Sequence, residues 1–286
     1  MLKSILMFAS SLRLMNRARR LPLYILLTGA SLVMLFPFAW MLSSSFKPDA
    51  DIFSFPIQWI PQTLLPQNYL RVWQSIHYGQ LLSNTTFLAV TITLLQIVTS
   101  TLAGYAFAKI PFPENRIIFL CYLATLMVPF QVVMIPQFVT IRLLGLMDSL
   151  WAIVLIQAFN PFGVFLMRQF FLNIPIELSE AARIDGLNEF GIYTRIILPL
   201  SKPAIAALAI FTSVAVWNDF LTPLIYLNSS SKWTIQLGLR SLFAEYSADY
   251  GGVMAGAVLS ILPVLLIFLF LQRYFIEGIA MSGIKG

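Results

Sequence analysis

Six long apolar stretches dominate the pattern of the chain, and the segments between them gather the polar and charged positions. They run approximately over 21–46, 81–108, 117–136, 149–167, 203–227 and 253–271, and Asp219 is the only acidic residue inside any of them. A helix advances about 1.5 Å per residue, so roughly 20 apolar residues cross a hydrocarbon layer of about 30 Å. None of the stretches alternates apolar with polar positions, as barrel strands do. Backbone polar groups in lipid must be satisfied within the segment, and a helix does this. The pattern predicts an all-α membrane protein with six transmembrane helices.

Composition agrees. The chain is 59% hydrophobic, 14% aromatic and 10% charged, and its mean hydropathy is +0.83. Soluble domains carry about 25% charged residues, so a soluble enzyme, a disordered tail and a free nucleic-acid binder are excluded. The lone Cys121 precludes an internal disulfide and a cysteine metal cluster, and reads as an inert thiol in an apolar run. His77, the only histidine, has no neighbours suited to metal binding or catalysis.

The net charge of +6 concerns orientation. With the N-terminus inside, 13 of the 18 Lys and Arg residues fall on the inner side, and only Lys47, Arg71, Arg142, Lys232 and Arg240 fall outside. The positive-inside rule then puts both termini in the cytoplasm of a multi-pass protein of the plasma (inner) membrane. Residues 1–20 read as an amphipathic cytoplasmic lead-in rather than a cleaved signal, because the basic run Arg13 to Arg20 follows the apolar part and no A-x-A-like site is present. Residues 21–275 form the membrane domain, and 276–286 a cytoplasmic tail. The outer loop 43–80 holds Pro48, Pro56, Pro61 and Pro66 with Trp59 and Trp73, which predicts an ordered, proline-braced segment.

The inner loop 173–200 is the densest in charge within the membrane domain. Pro175 suits the first turn of a helix, good helix formers follow through Ile184, and Gly186 stops it. Asn188 caps a second short helix that Pro199 ends. The loop therefore reads as helix, glycine turn, helix.

Within it, Glu180, Ala181, Ala182, Gly186, Ile196, Leu198 and Pro199 match the E-A-A-x3-G-x9-I-x-L-P motif at every defined position. On these residues the chain resembles the membrane subunits of ABC-type importers. The segment beginning SFKPDADIF, with Trp59, Pro61, Asn68 and Tyr69, is similar to the opening of carbohydrate-importing permeases. The ending EGIAMSGIKG resembles the smaller maltose-type permease. The resemblance implies a type I importer transmembrane domain, the smaller half of a heterodimer. Its partners would be a second, different permease, two ATP-binding subunits, an extracytoplasmic solute-binding protein and the bilayer, with no nucleic acid. Loop 173–200 would be the coupling loop that docks on the ATPase. Glu180 and Asp185 would bond to that partner, the small Ala181 and Ala182 would permit close packing, and Gly286, Lys285 and Gly283 of the tail would also reach it. No G-x-x-x-x-G-K-[ST] phosphate loop occurs, so the chain is expected to be non-catalytic, with ATP and Mg bound by the ATPase subunits.

Polar residues inside the spans are candidates for the solute path, because they are costly in lipid unless they face a cavity or one another. Trp217, Asn218 and Asp219 form one group. They would line an outer cavity, or stabilise a break before Pro223, or sit at the water boundary. Gln131 beside Pro129 and Asn160 beside Pro161 form another, with the alternative that their amides satisfy carbonyls freed by proline. The expected function is thus the membrane subunit of an ATP-driven, binding-protein-dependent importer of a sugar or sugar-like solute. The alternative is a stand-alone secondary carrier or channel, which would need intramembrane ion-coupling residues and usually more spans or repeats.

Overall fold

The computed structural model describes the backbone of residues 2–243 and 249–283, and the side chains of 22–243, 249–270 and 272. The architecture is all-α. In chain order the helices are α1 (Leu2–Ser44), α2 (Asp49–Ile52), α3 (Gln67–Ser75), α4 (Tyr78–Lys109), α5 (Asn115–Ala124), α6 (Phe130–Leu143), α7 (Leu150–Gln157) and α8 (Pro161–Leu172). They continue as α9 (Ile176–Ile184), α10 (Glu189–Ile192), α11 (Leu198–Leu200), α12 (Lys202–Trp217), α13 (Leu221–Tyr226), α14 (Ile235–Ser241) and α15 (Tyr250–Gly283).

Among the described residues three segments are uninterrupted and apolar enough to cross a membrane, Pro22–Ser44, Tyr78–Lys109 and Tyr250–Phe270. The rest of the apolar sequence is broken. The third predicted span bends by 96° between Met127 and Phe130, and α7 meets α8 at 42°. Both breaks have the same cause. Val128 and Asn160 each precede a proline, which pushes them out of the helical region, and they adopt ψ of 114° and 111°. Counting each bent pair as one span gives up to six. The fifth predicted span, 203–227, is corrected in detail. Its helix stops at Trp217, α13 forms separately, and the bent pair in this region joins Glu189–Leu200 to α12 at 77°.

α4 is the central post. It packs most extensively on α8, then on α12, while α12 also packs on α15. Close approach of α4 to α8 depends on Gly104, where a Cβ would stand 2.9 Å from Met167 Cβ and 3.0 Å from the Arg168 backbone nitrogen. One apolar core surrounds the N-terminal half of α4, with Leu88 and Ile92 against Ile153, Trp217 and Tyr226. A second surrounds its C-terminal end, with Tyr105 against Met167, Phe171, Ile192 and Ile197.

Loop 43–80 is ordered, as its prolines and aromatic residues predict. Asn68 Nδ2 donates to the carbonyls of Ser45 and Lys47, each at 3.0 Å. Arg71 pairs with Asp249 at 2.7 Å, and Asp49 accepts from the Gly251 amide at 2.7 Å. The segment thereby ties the end of α1 to the start of α15. On the same side of the fold, Asp148 accepts from the backbone amides of Asn228 and Ser229, from the Ser229 hydroxyl and from Lys232. The Ser229 hydroxyl and these amides hold its carboxyl well below the usual carboxylate range.

Candidate functional site

The loop between α8 and α12 folds as a hairpin of two short helical segments. α9 starts after Pro175 and ends at Asp185. Gly186 adopts φ of +84°, a left-handed conformation that side chains with a Cβ rarely take. The Gly186 amide donates to Arg183 O and the Leu187 amide to Ala182 O, each at 3.0 Å, which closes the helix with a Schellman pair of bonds. The Asn188 side chain then accepts from the Gly191 amide at 2.8 Å and caps the next helix. Contrary to expectation, Pro199 does not end that helix. It stands near its close, after a π-helical turn at Tyr193–Ile197 that absorbs one extra residue, and the chain turns at Ser201.

One face of this hairpin is attached to α4. Glu189 accepts from Arg183 Nε at 2.8 Å and from the Tyr105 hydroxyl at 2.7 Å, so a single carboxylate joins α9, α10 and α4. The Tyr193 hydroxyl pairs with Thr101 at 2.8 Å, and Lys109 Nζ donates to Ile174 O at 2.6 Å. Ala182 is buried in the second core, with Ile196 and Leu198 packed against it. These three expected contact residues shape the loop from within. Glu180, Ala181, Asp185, Gly186 and Pro199 are exposed. Beside them the structure adds two apolar residues that the motif reading missed, Ile184 at 87% exposure and Phe190 at 67%. The sequence signal that could have found them is their position, an isoleucine two residues before the glycine turn and a phenylalanine two residues after the capping Asn188. Of the tail residues, Gly283 ends α15, while Lys285 and Gly286 lie outside the described residues.

A second feature lies in the middle of the fold, where the helices break. A cavity of about 590 Å³ is lined by residues from α4, α6, α7, α8 and α12 and by Asp219 and Thr222 beyond α12. Its polar wall is a chain of amides. Gln96 of α4 donates to Gln157 O at 2.7 Å and accepts from Asn160 Nδ2 at 3.0 Å and the Thr212 hydroxyl at 2.9 Å. Gln157 in turn donates to Asp219 Oδ2 at 2.7 Å, and Asp219 Oδ1 accepts from the Thr222 amide at 3.1 Å. Gln137 Oε1 is buried with no hydrogen-bond partner, on the same cavity. The aromatic lining of the cavity is Phe130, Phe159, Phe162 and Phe211. Amides beside aromatic faces can bind hydroxyl groups and stack on sugar rings.

Of the residues singled out for the solute path, Asn160 and Asp219 line this cavity. The other three are placed elsewhere. Trp217 is buried in the first core, with its indole N–H donating to Ser260 O at 3.0 Å. Asn218 is exposed and bonds back to Val214 O at 2.9 Å. Gln131 is exposed on α6, one position beyond the lining Phe130. Gln96, Gln137 and Gln157 were missed because each lies in an apolar run as a single amide, and only tertiary packing brings them together. Among the described residues no group of His, Cys, Asp and Glu could hold a metal ion.

Residues 96–280 match the family model described as the binding-protein-dependent transport system inner membrane component. The chain is 37% identical over 271 residues to the arabinooligosaccharides transport system permease protein AraQ of Bacillus subtilis, covering 93% of this chain and 96% of that one. It is 33% identical to the polygalacturonan/rhamnogalacturonan transport system permease protein YtcP of the same organism, covering 95% and 99%. The crystal structure of a bacterial ABC transporter involved in the import of the acidic polysaccharide alginate contains a similar chain. The TM-score is 0.80 at 26% identity, covering 91% of this chain and 97% of that one.

Proposed function

Since the chain belongs to the binding-protein-dependent transport system inner membrane components, we propose that it lines half of the translocation path of an ATP-driven importer for a sugar or sugar-like solute. It is a non-catalytic, multi-pass permease subunit of the inner membrane. In this reading a second permease supplies the other half of the path, two ATPase subunits bind ATP and Mg, and a solute-binding protein delivers the solute from outside. Loop 173–200 and both termini are cytoplasmic, in keeping with the excess of Lys and Arg on that side. The tail around Gly283, Lys285 and Gly286 also contacts the ATPase. The cavity around Gln96 and Asn160 belongs to the solute path. The stand-alone carrier has no support: one intramembrane carboxylate is too little for ion coupling.

The observation that carries the reading is the two-faced hairpin at 176–200. Its inner face is bonded to the central helix α4, while its outer face presents Glu180, Ala181, Ile184 and Asp185. A small surface with an apolar centre and a charged edge suits docking to another protein. Movement of that partner would reach α4 through Glu189 and Tyr193, a contiguous mechanical link between ATP hydrolysis and the path.

The test is uptake by the complex reconstituted in proteoliposomes. Replacing Glu180 and Asp185 together by Ala is expected to lower uptake at least tenfold while the permease pair still assembles. Uptake that is unchanged, or that continues without ATPase subunits, overturns the reading.

A further inference from the structure

The charge of the solute is open in the preceding reading, and the cavity wall bears on it. Among the described residues Asp219 is the only charged one that lines the cavity. Both of its oxygens accept hydrogen bonds, from Gln157 and from the Thr222 amide. None of the ion pairs among the described residues involves it, so its charge is not cancelled by a neighbouring Lys or Arg. The other polar groups, Gln96, Gln137, Gln157, Asn160 and Thr212, are neutral.

We propose that this cavity selects by charge, admitting neutral sugars and rejecting uronates and sugar phosphates. The inference rests on the cavity being part of the solute path. A space of about 590 Å³ is roughly 10 Å across, so any anionic group inside it stands within about that distance of Asp219. At an effective dielectric of about 20, two like charges so placed disfavour co-occupancy by more than roughly tenfold. Neutral hydroxyls meet no such penalty. They can exchange hydrogen bonds with the amides and the Thr212 hydroxyl of the wall, while the Phe130 and Phe159 side chains offer faces to a sugar ring.

The experiment reads the potential and the path together in the full complex. Cys121→Ser and cysteine-free partner subunits leave Ala215→Cys, on the cavity wall, as the single thiol. A cationic methanethiosulfonate is expected to label it at least about tenfold faster than an anionic one, after normalising each to a free thiol. Asp219→Asn, which keeps one of the two acceptor oxygens, brings the ratio near unity, and Asp219→Glu retains the preference. Galactobiose slows labelling and digalacturonate does not, until Asp219→Asn lets both protect. A ratio unmoved by Asp219→Asn, or equal protection by the two sugars, overturns the charge selection. Labelling that leaves uptake intact overturns instead the assignment of the cavity to the path.

Discussion

At Gly186 a single backbone angle sets the direction of the 176–200 hairpin. With φ at +84°, any residue bearing a Cβ is strained there by roughly 1–2 kcal/mol. Gly186→Val is therefore expected to reduce uptake at least tenfold with little loss of assembled complex, because nothing lies within 4 Å of the added Cβ and only the turn is disturbed. The measurement is uptake set against the yield of purified complex. Asp148 gives the pH prediction. Its carboxyl is depressed by hydrogen bonds that exist only in the fold, so its contribution is complete above the ordinary carboxylate range. That contribution is lost as pH falls through the lower, folded value. Hydrogen exchange at the Asn228 and Ser229 amides, corrected for intrinsic rates, is expected to stay slow at neutral pH and to rise on acidification, and to be fast throughout in Asp148→Ala. Residues such as Gly186 and Asn188 were legible in the sequence because they act on their own turn. Glu189 was visible only as a charge. Its bond to Tyr105 spans 84 residues, and the Gln96 bond to Gln157 spans 61, distances at which no local pattern is informative.

The elements show a similar division. Every predicted apolar span contains a helix, because composition dictates the solvent each segment meets. Straightness was legible only in part. The apolar run at 117–136 read as one span although Pro129 already restricts Val128, whereas in 203–227 a break before Pro223 was among the readings, and Asp219 caps α13 there through the Thr222 amide. The breaks leave carbonyls of Gln157 and Ala158 without helical partners, and α4 supplies Gln96 and Thr99 to meet them, at 2.7 and 3.1 Å. The amides of the cavity thus have two tasks, closing the break and facing the space beside it. The contact of α4 with α8 makes its own prediction. Gly104→Ala places a methyl against backbone that cannot yield, and overpacking of this kind costs about 1–3 kcal/mol. A lower midpoint of thermal unfolding of the purified complex is expected, with the same variant at Gly29, where nothing lies within 4 Å, leaving the midpoint unchanged.

For the molecule as a whole, the two polar clamps lie at opposite ends of α4. Arg183 and Glu189 meet Tyr105 near its C-terminus, while Asn84, near its N-terminus, donates to Ser231 O and Trp233 O beside the Asp148 clamp. A helix of 32 residues at about 1.5 Å each is long enough to put these ends in different compartments. The stretch of α1 that begins at Pro22 leans mainly on α15 with its apolar side chains exposed, Val33 at 75% and Met34 at 72%. Such a surface is stable against lipid or another apolar helix, and not against water. The orientation proposed from the charge asymmetry would put the 176–200 hairpin in the cytoplasm and the 228–232 turn outside. In a Cys121→Ser background, and in cells that lack the ATPase subunits that would cover the hairpin, Ser231→Cys is expected to react with an impermeant maleimide in intact cells, whereas Glu180→Cys reacts only after permeabilisation. Both positions are exposed, so access to reagent depends on the side of the membrane rather than on burial. Labelling of Glu180→Cys in intact cells would reverse the topology. It would also remove the ATPase from reach of the hairpin, since ATP is cytoplasmic, and the proposed coupling would fail with it.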